Sequence, residues 1–290
     1  MSTALVFAPF CVRFSTIRSI VSVMLLAVLL SACQTSEVLD ARQKAQISLP
    51  DRFASVVVDG RTGKILYSAN QDAVRYPASL TKMMTLYLLF EAIDSGRTSK
   101  TALIPISANA AGQAPSKIGL KAGETIDVDT AIRALTVKSA NDIAVAVAEF
   151  IGGSEDQFAL QMTSKARALG MNSTTFRNAS GLHDPAQVTT AMDMARLGLS
   201  LRKNFPQQFS YFALKEFSVG GRTVTGHNKV LDMVAGANGI KTGYTRASGF
   251  NLVSSVERNG RLVVGVIMGE DTARERDQRM ALLLRANMGG

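Results

Sequence analysis

Pro77-Ala78-Ser79-Leu80-Thr81-Lys82-Met83-Met84 opens a stretch that stays apolar nearly all round as far as Ile93. Proline suits the first position of a helix, where its missing N–H is no loss. A helix that is apolar on every side belongs in the middle of a molecule, and Gly96 ends this one. Upstream, residues 54–60 and 64–68 flank Arg61-Thr62-Gly63 and read as a hairpin of two short strands. Downstream, residues 128–135, 143–151, 155–169 and 189–201 carry helical periodicity between Gly and Asn breaks, so residues 126–203 form an all-helical block. Strand candidates follow at 217–219, 239–245, 250–256 and 262–268, the last two joined by Asn259-Gly260, a favoured hairpin turn. An amphipathic helix over about 272–286 completes the chain. Strands at both ends with helices between them predict an α/β (α+β) chain, with one antiparallel sheet covered by helices beside an all-helical lobe.

The 290 residues suffice for one or two domains, and 47% apolar against 19% charged residues is a globular balance rather than a disordered one. A formal charge of +9 invites a nucleic-acid reading until the N-terminus is considered. Arg13 and Arg18 precede an apolar run at residues 20–30, far short of the roughly 20 residues a membrane-spanning helix needs. It reads as a secretory signal over residues 1–32. Leu30-Ser31-Ala32-Cys33 resembles the bacterial lipobox, which would make Cys33 a lipidated first residue, followed by a polar tether to residue 50. The alternative is an ordinary cleaved signal that contains a cysteine. Export excludes a nucleic-acid role. The mature chain, at +7 once two arginines leave with the signal, suits an anionic envelope or a carboxylate-bearing substrate, as well as a merely solvated basic surface. Cys11 leaves too, so no internal disulfide is expected. With two cysteines and two histidines in all, neither a Cys/His zinc site nor any other metal or cofactor is expected.

Ser79 and Lys82 stand three residues apart on a helix, hence on one face with neighbouring side chains. A serine is a weak nucleophile without an adjacent base, and lysine can be that base if burial and a nearby cation favour its neutral form. In the first turn of a helix the backbone amide of Ser79 is also free to donate to a developing oxyanion. Ser200 and Lys203 share the spacing but sit at the polar end of an amphipathic helix, whereas Lys82 lies in an apolar one. Ser-x-Asn occurs at Ser68, Ser107 and Ser139; only Ser139-Ala140-Asn141 falls between two apolar helices, where a loop can push its side chains into a cleft, and a helix N-cap remains an equal reading. Lys241-Thr242-Gly243 lies in a strand. On an edge strand Gly243 would let a substrate backbone lie close, with Lys241 and Thr242 facing an anion.

The ordered set SxxK, SxN, KTG is that of penicillin-binding proteins and class A β-lactamases. Over residues 51–285 the chain resembles a low-molecular-mass penicillin-binding protein of the D-alanyl-D-alanine carboxypeptidase family. The segments that carry the likeness are Pro77–Met84, Gly119–Glu124, Gly170-Met171-Asn172, Gly181–Pro185 and Gly239-Ile240-Lys241-Thr242-Gly243-Tyr244-Thr245. The resemblance implies a serine D,D-peptidase fold over residues 51–290, with an acyl-enzyme on Ser79 formed from peptidoglycan stem peptides ending in D-Ala-D-Ala. It implies acylation by β-lactam antibiotics as well. Lys82 would be the base, Ser139 would relay protons to the leaving D-alanine, and Asn141 would hold the substrate amide. Lys241 would keep the cleft positive and help Lys82 stay neutral; Thr242 would contact the terminal carboxylate. The backbone N–H of Tyr244 would join that of Ser79 in the oxyanion hole. Arg276 falls where the family carries an arginine for the same carboxylate, with Arg274 and Arg279 as close rivals.

Many family members continue into a second β-rich domain and a C-terminal membrane helix, whereas this sequence stops at Gly290; a lipid on Cys33 would replace that anchor. No Glu-x-x-Leu-Asn segment lies between Ser139 and Lys241, which disfavours a dedicated β-lactamase. His183 and His227 have no triad role and are read as structural hydrogen-bonders. Two rival functions remain: a D,D-endopeptidase that cuts cross-links, and a non-catalytic wall-binding lipoprotein, against which the paired Ser and Lys argue. The expected location is the periplasmic side of a membrane, the outer one in a Gram-negative cell, since Gln34 is not a retaining aspartate.

Overall fold

From the N-terminus, β1 (Ala54–Asp59) and β2 (Ile65–Ala69) form a hairpin, and a 3-10 turn (Ala78–Thr81) runs directly into α1 (Lys82–Asp94). β3 (Leu103–Pro105) pairs with β4 (Thr125–Asp127) across the short α2 (Ala108–Gly112). α3 (Val128–Arg133) passes through a π-helical turn (Ala134–Lys138) to α4 (Asn141–Gly152), α5 (Glu155–Ala168) and α6 (Ala191–Asn204). A 3-10 segment (Gln208–Ala213), the hairpin β5 (Glu216–Val219) and β6 (Arg222–Thr225), and a single turn α7 (Val230–Met233) lead to β7 (Ala237–Thr245), β8 (Gly249–Arg258) and β9 (Arg261–Glu270), then α8 (Ala273–Met288). This computed structural model describes residues 50–288; the leader, Cys33 and all but the last residue of the tether lie outside them.

The sheet is antiparallel in the order β2-β1-β9-β8-β7, so the first and last strands of the sequence meet at its centre. Its central strands are buried on both faces, which explains their continuous apolar runs. Val56, Val58, Val253, Val264 and Val266 join the large core with α1, α4 and α6, while Val57, Leu252, Val256, Val263 and Ile267 meet Met280 and Leu284 of α8 on the other side. α6 comes closest at Gly198, where an added Cβ would sit 3.2 Å from Ile240 and 3.3 Å from Val264. α1 is buried along nearly its whole length, from Lys82 through Ala92. Fully burying one such side chain, Phe90 for example, contributes about 1.5–3 kcal/mol.

Four expectations are corrected. Pro77 is the N-cap of a 3-10 turn rather than the first residue of the α-helix. The block at 126–203 is not wholly helical, because β4 begins it and the bridges Arg75↔Thr189 and Thr175↔Val188 tie an extended segment between α5 and α6. The helix expected at 128–135 changes to π-helical winding at Ala134. The strand expected at 217–219 joins a separate two-stranded ribbon, not the main sheet.

Candidate active site

The 3-10 turn that carries Ser79 is wedged between two glycines and hung from an asparagine. Ala78 has a left-handed φ of 48°, which rotates the turn out of the path of a regular helix start. An added Cβ on Gly181 would sit 1.9 Å from the Ala78 carbonyl oxygen, and one on Gly243 would sit 3.1 Å from the nitrogens of Ser79 and Leu80 and from the Pro77 oxygen. Opposite Gly243 on β8 stands Asn251, fully buried. Its Nδ2 donates to the carbonyls of Tyr76 and Pro77 at 3.0 and 3.1 Å, and its Oδ1 accepts from the Gly269 N–H at 2.9 Å. Gly243 lines the cleft, and its missing side chain leaves room for the serine turn.

Lys82 is the first residue of α1 and is wholly buried. Its Nζ lies 3.2 Å from Ser79 Oγ, 2.7 Å from Asn141 Oδ1 and 2.5 Å from the Ser180 carbonyl oxygen. Asn141 Nδ2 donates to the Ala114 carbonyl at 2.9 Å, which fixes the amide with its oxygen toward the lysine. That amide still keeps a second Nδ2 hydrogen, and Asn141 lines the cleft. A neutral amine has two N–H groups and one lone pair. The Asn141 oxygen and the Ser180 carbonyl can only accept, so they take the two N–H groups and leave the lone pair for the Ser79 hydroxyl. Burial, then the positive charge of Lys241, hold the Lys82 ammonium well below its ordinary proton affinity, while Asp142 opposes them. Burial followed by Arg276 brings Lys241 down to about 7.

The remaining walls come from distant elements. Asp142, fully buried, accepts from the Ile118 and Gly119 N–H groups and ties the loop after α2 to the start of α4. Ser139 takes a left-handed φ of 60° after the π-helical turn; its buried hydroxyl has no protein partner among the described residues. β7 is the edge strand, and Thr242, Gly243, Tyr244 and Thr245 wall a cleft of about 500 Å³ together with Ser79, Ser139 and Asn141. Tyr244 is exposed and stacks on Phe250 at 4.2 Å. Lys241 turns inward and donates to the Thr242 carbonyl at 2.9 Å.

Among the three arginines, burial decides. Arg276 is buried, lines the cleft and is held by Asp277 at 2.7 Å. Arg274 is exposed, and Arg279 pairs with Glu270 and covers the Phe53 ring. The competing motif copies also separate. Ser107 caps α2 by accepting from the Ala110 N–H, Ser68 lies in the edge strand β2, and Lys203 is an exposed residue in the last turn of α6. His183 stands edge-on to Tyr76. His227, expected to be a structural hydrogen-bonder, lines the cleft, where burial and the charges of Lys241 and Lys138 lower its proton affinity, and its carbonyl accepts from Arg276 at 3.4 Å. Ser180 and Asn251 were not anticipated. Ser180 acts through a backbone carbonyl, which leaves no mark in a sequence, and Asn251 lies in a strand whose residues read as core.

Comparison with known proteins agrees with this geometry. The chain is 35% identical to D-alanyl-D-alanine carboxypeptidase DacA of Escherichia coli K12 over 241 residues, 81% of this chain and 60% of the relative. It is 32% identical to DacF of Bacillus subtilis, covering 80% of this chain and again 60% of the relative, so it spans about 60% of the length of these curated relatives. The crystal structure of the carboxypeptidase DacD from Francisella tularensis superposes with a TM-score of 0.78 at 33% identity, covering 82% of this chain and 70% of that one. Penicillin-binding protein D2 of Listeria monocytogenes in its cefotaxime-bound form gives a TM-score of 0.73 at 29% identity, covering 82% of this chain and 99% of that one. The D-alanyl-D-alanine carboxypeptidase profile of peptidase family S11 matches residues 41–272, and the chain belongs to that family.

Proposed function

We propose that the protein is a serine D-alanyl-D-alanine carboxypeptidase that trims peptidoglycan stem peptides and is acylated by β-lactams. The observation that carries this reading is the placement of Lys82 Nζ, buried, 3.2 Å from Ser79 Oγ and bound by two groups that can only accept. Ser79 Oγ bonds to the carbonyl carbon of the penultimate D-Ala while Lys82 takes the hydroxyl proton. The C–N bond to the terminal D-Ala then breaks as its nitrogen receives a proton from Lys82 by way of Ser139. Water hydrolyses the ester, with Lys82 taking its proton and Ser79 Oγ leaving as the hydroxyl. Lys241, Thr242 and Arg276 give the terminal carboxylate its cationic and hydroxyl partners. A retained base is of no use to a wall-binding module. Release of free D-alanine from a soluble D-Ala-D-Ala peptide tests the reading. Cleavage of cross-linked muropeptides alone would replace it with a D,D-endopeptidase, and no turnover of either would refute it.

We propose also that the chain is exported and held at the periplasmic side of a membrane by a lipid on Cys33. The support is the short apolar run after Arg18 and the sequence Leu30-Ser31-Ala32-Cys33. Cys33→Ala should abolish lipid labelling and alter the processing of the leader; unchanged processing and attachment refute the anchor.

A further inference from the structure

Lys82 depends on the Ser180 carbonyl as much as on Asn141. If that carbonyl drew back, one N–H of the neutral amine would be free to turn toward Ser79 Oγ, and the lone pair would point elsewhere. The carbonyl belongs to a loop between α5 and α6, outside the three motifs, so what fixes the loop fixes the base.

One side chain closes this loop from both ends. Gln187 is buried at 2% exposure. Its Oε1 accepts from the Arg177 and Asn178 N–H groups at 3.0 and 3.2 Å, where the loop begins. Its Nε2 donates to Asn178 Oδ1 at 3.2 Å and to the Leu182 carbonyl at 3.3 Å, where the loop ends. Asn178 completes the ring: its Oδ1 accepts from the Gly181 N–H at 2.7 Å, and its Nδ2 donates to the same Leu182 carbonyl at 3.0 Å. The loop is then held to its neighbours. Glu155 at the start of α5 accepts from the Ala179 N–H at 3.0 Å, and Thr85, one turn beyond Lys82, donates to the Ala179 carbonyl at 2.7 Å.

We propose that Gln187 is a positioning residue for the general base: through Asn178 it holds the Ser180 carbonyl on Lys82 Nζ and so aims the lysine lone pair at Ser79. This rests on the acyl-enzyme reading above. Gln187 makes no contact with Ser79 and meets the cleft lining only at the Leu182 carbonyl, so its effect passes through the loop. Asp142 on α4, Lys241 on β7 and Glu155 on α5 are the charged groups around Lys82 and its loop.

The test is acylation of the whole exported chain by a fluorescent penicillin, with the limiting rate and the half-saturating concentration measured from pH 5 to 10. Gln187→Glu keeps an oxygen for the Arg177 and Asn178 N–H groups, removes both donors and sets a carboxylate oxygen against Asn178 Oδ1 and the Leu182 carbonyl, so the closing arm is lost and its ends repel. The limiting rate should fall about 10- to 100-fold, as expected for a misaimed base. The half-saturating concentration should change less than 3-fold, because the carboxylate partners are untouched. The acidic limb should move to higher pH, because water reaches the lysine and the new carboxylate favours its ammonium. A limiting rate and pH profile like the parent's overturn the proposal, and so does a loss that merely tracks the fraction unfolded in a thermal melt. If Gln187→Glu does not fold, Asn178→Asp, which replaces the Leu182 donor by a carboxylate oxygen, is read by the same criteria. Failure of the unmodified protein to be acylated would instead refute the functional reading itself.

Discussion

Gly243→Ala is the sharpest test of how the sheet positions the nucleophile. Gly243 has no positive φ, so alanine fits its backbone, and the only obstacle is space. Its Cβ would lie 3.1 Å from three backbone atoms of the turn, Ser79 N, Leu80 N and Pro77 O, about 0.3 Å inside ordinary contact. None of these atoms is at the end of a flexible side chain. β7 is paired along its length with β8, and Asn251 of β8 anchors the turn, so strand and turn cannot separate without breaking that clamp. A displacement of a few tenths of an ångström therefore falls on Ser79. If a shift of about 1 Å costs 100-fold, this one should cost roughly 3- to 6-fold in acylation rate, or about 0.6–1 kcal/mol. The overpacking should destabilise by about 1–3 kcal/mol, lowering Tm by roughly 2–10 °C in a body of this size. Gly198→Ala is the control: its 3.2–3.4 Å neighbours are methyl groups of Ile240, Val264 and Val253 beneath α6, so it should change Tm without changing acylation. The assay is fluorescent-penicillin acylation beside a thermal melt. An unaltered acylation rate in Gly243→Ala, or an equal loss in both variants, refutes the reasoning.

Lys82→Arg should abolish acylation, because a guanidinium cannot surrender its proton; labelling of Ser79 by a β-lactam, followed by mass spectrometry, checks it. Lys241→Ala removes the charge that, after burial, most lowers the proton affinity of Lys82, so the acidic limb of the acylation profile should move to higher pH, as a titration of rate against pH will show. In the unmodified protein Lys241 loses its charge as pH rises through about 7, so KM for a carboxylate-terminated peptide should rise above that pH while KM for its C-terminal amide stays flat. Arg276→Ala should raise KM for the carboxylate peptide about 10- to 100-fold and leave the amide unaffected, since the arginine acts only on the anion. Asn251→Ala orphans the Gly269 N–H along with two carbonyls of the serine turn, and should cost about 2–4 kcal/mol in denaturant unfolding with a loss of acylation beyond the unfolded fraction.

Much of this site was legible in the sequence because its chemistry is local. Ser79 and Lys82 are one helical turn apart, and that spacing alone makes them neighbours. The apolar run after Lys82 foretold its burial, and burial is what chiefly keeps it neutral. Asn259-Gly260 likewise announced the hairpin of the last two strands. Other residues were decided only by contacts between distant parts of the chain. Spacing could not distinguish Ser139-Ala140-Asn141 from its copies at Ser68 and Ser107, because what separates them is whether the amide meets Lys82, 59 residues away. The arginines near Arg276 were equivalent until α8 buried one, exposed another and paired the third with Glu270. The Ser180 carbonyl and the clamp at Asn251 had no sequence signature, since a carbonyl is common to every residue and a buried asparagine is recognised only by the backbone it satisfies. The sequence by itself thus determined which groups could react and which segments had to be buried. Only the tertiary structure decided how they face one another, because hydrogen-bond direction and close packing are properties of surfaces brought together from remote positions in the chain.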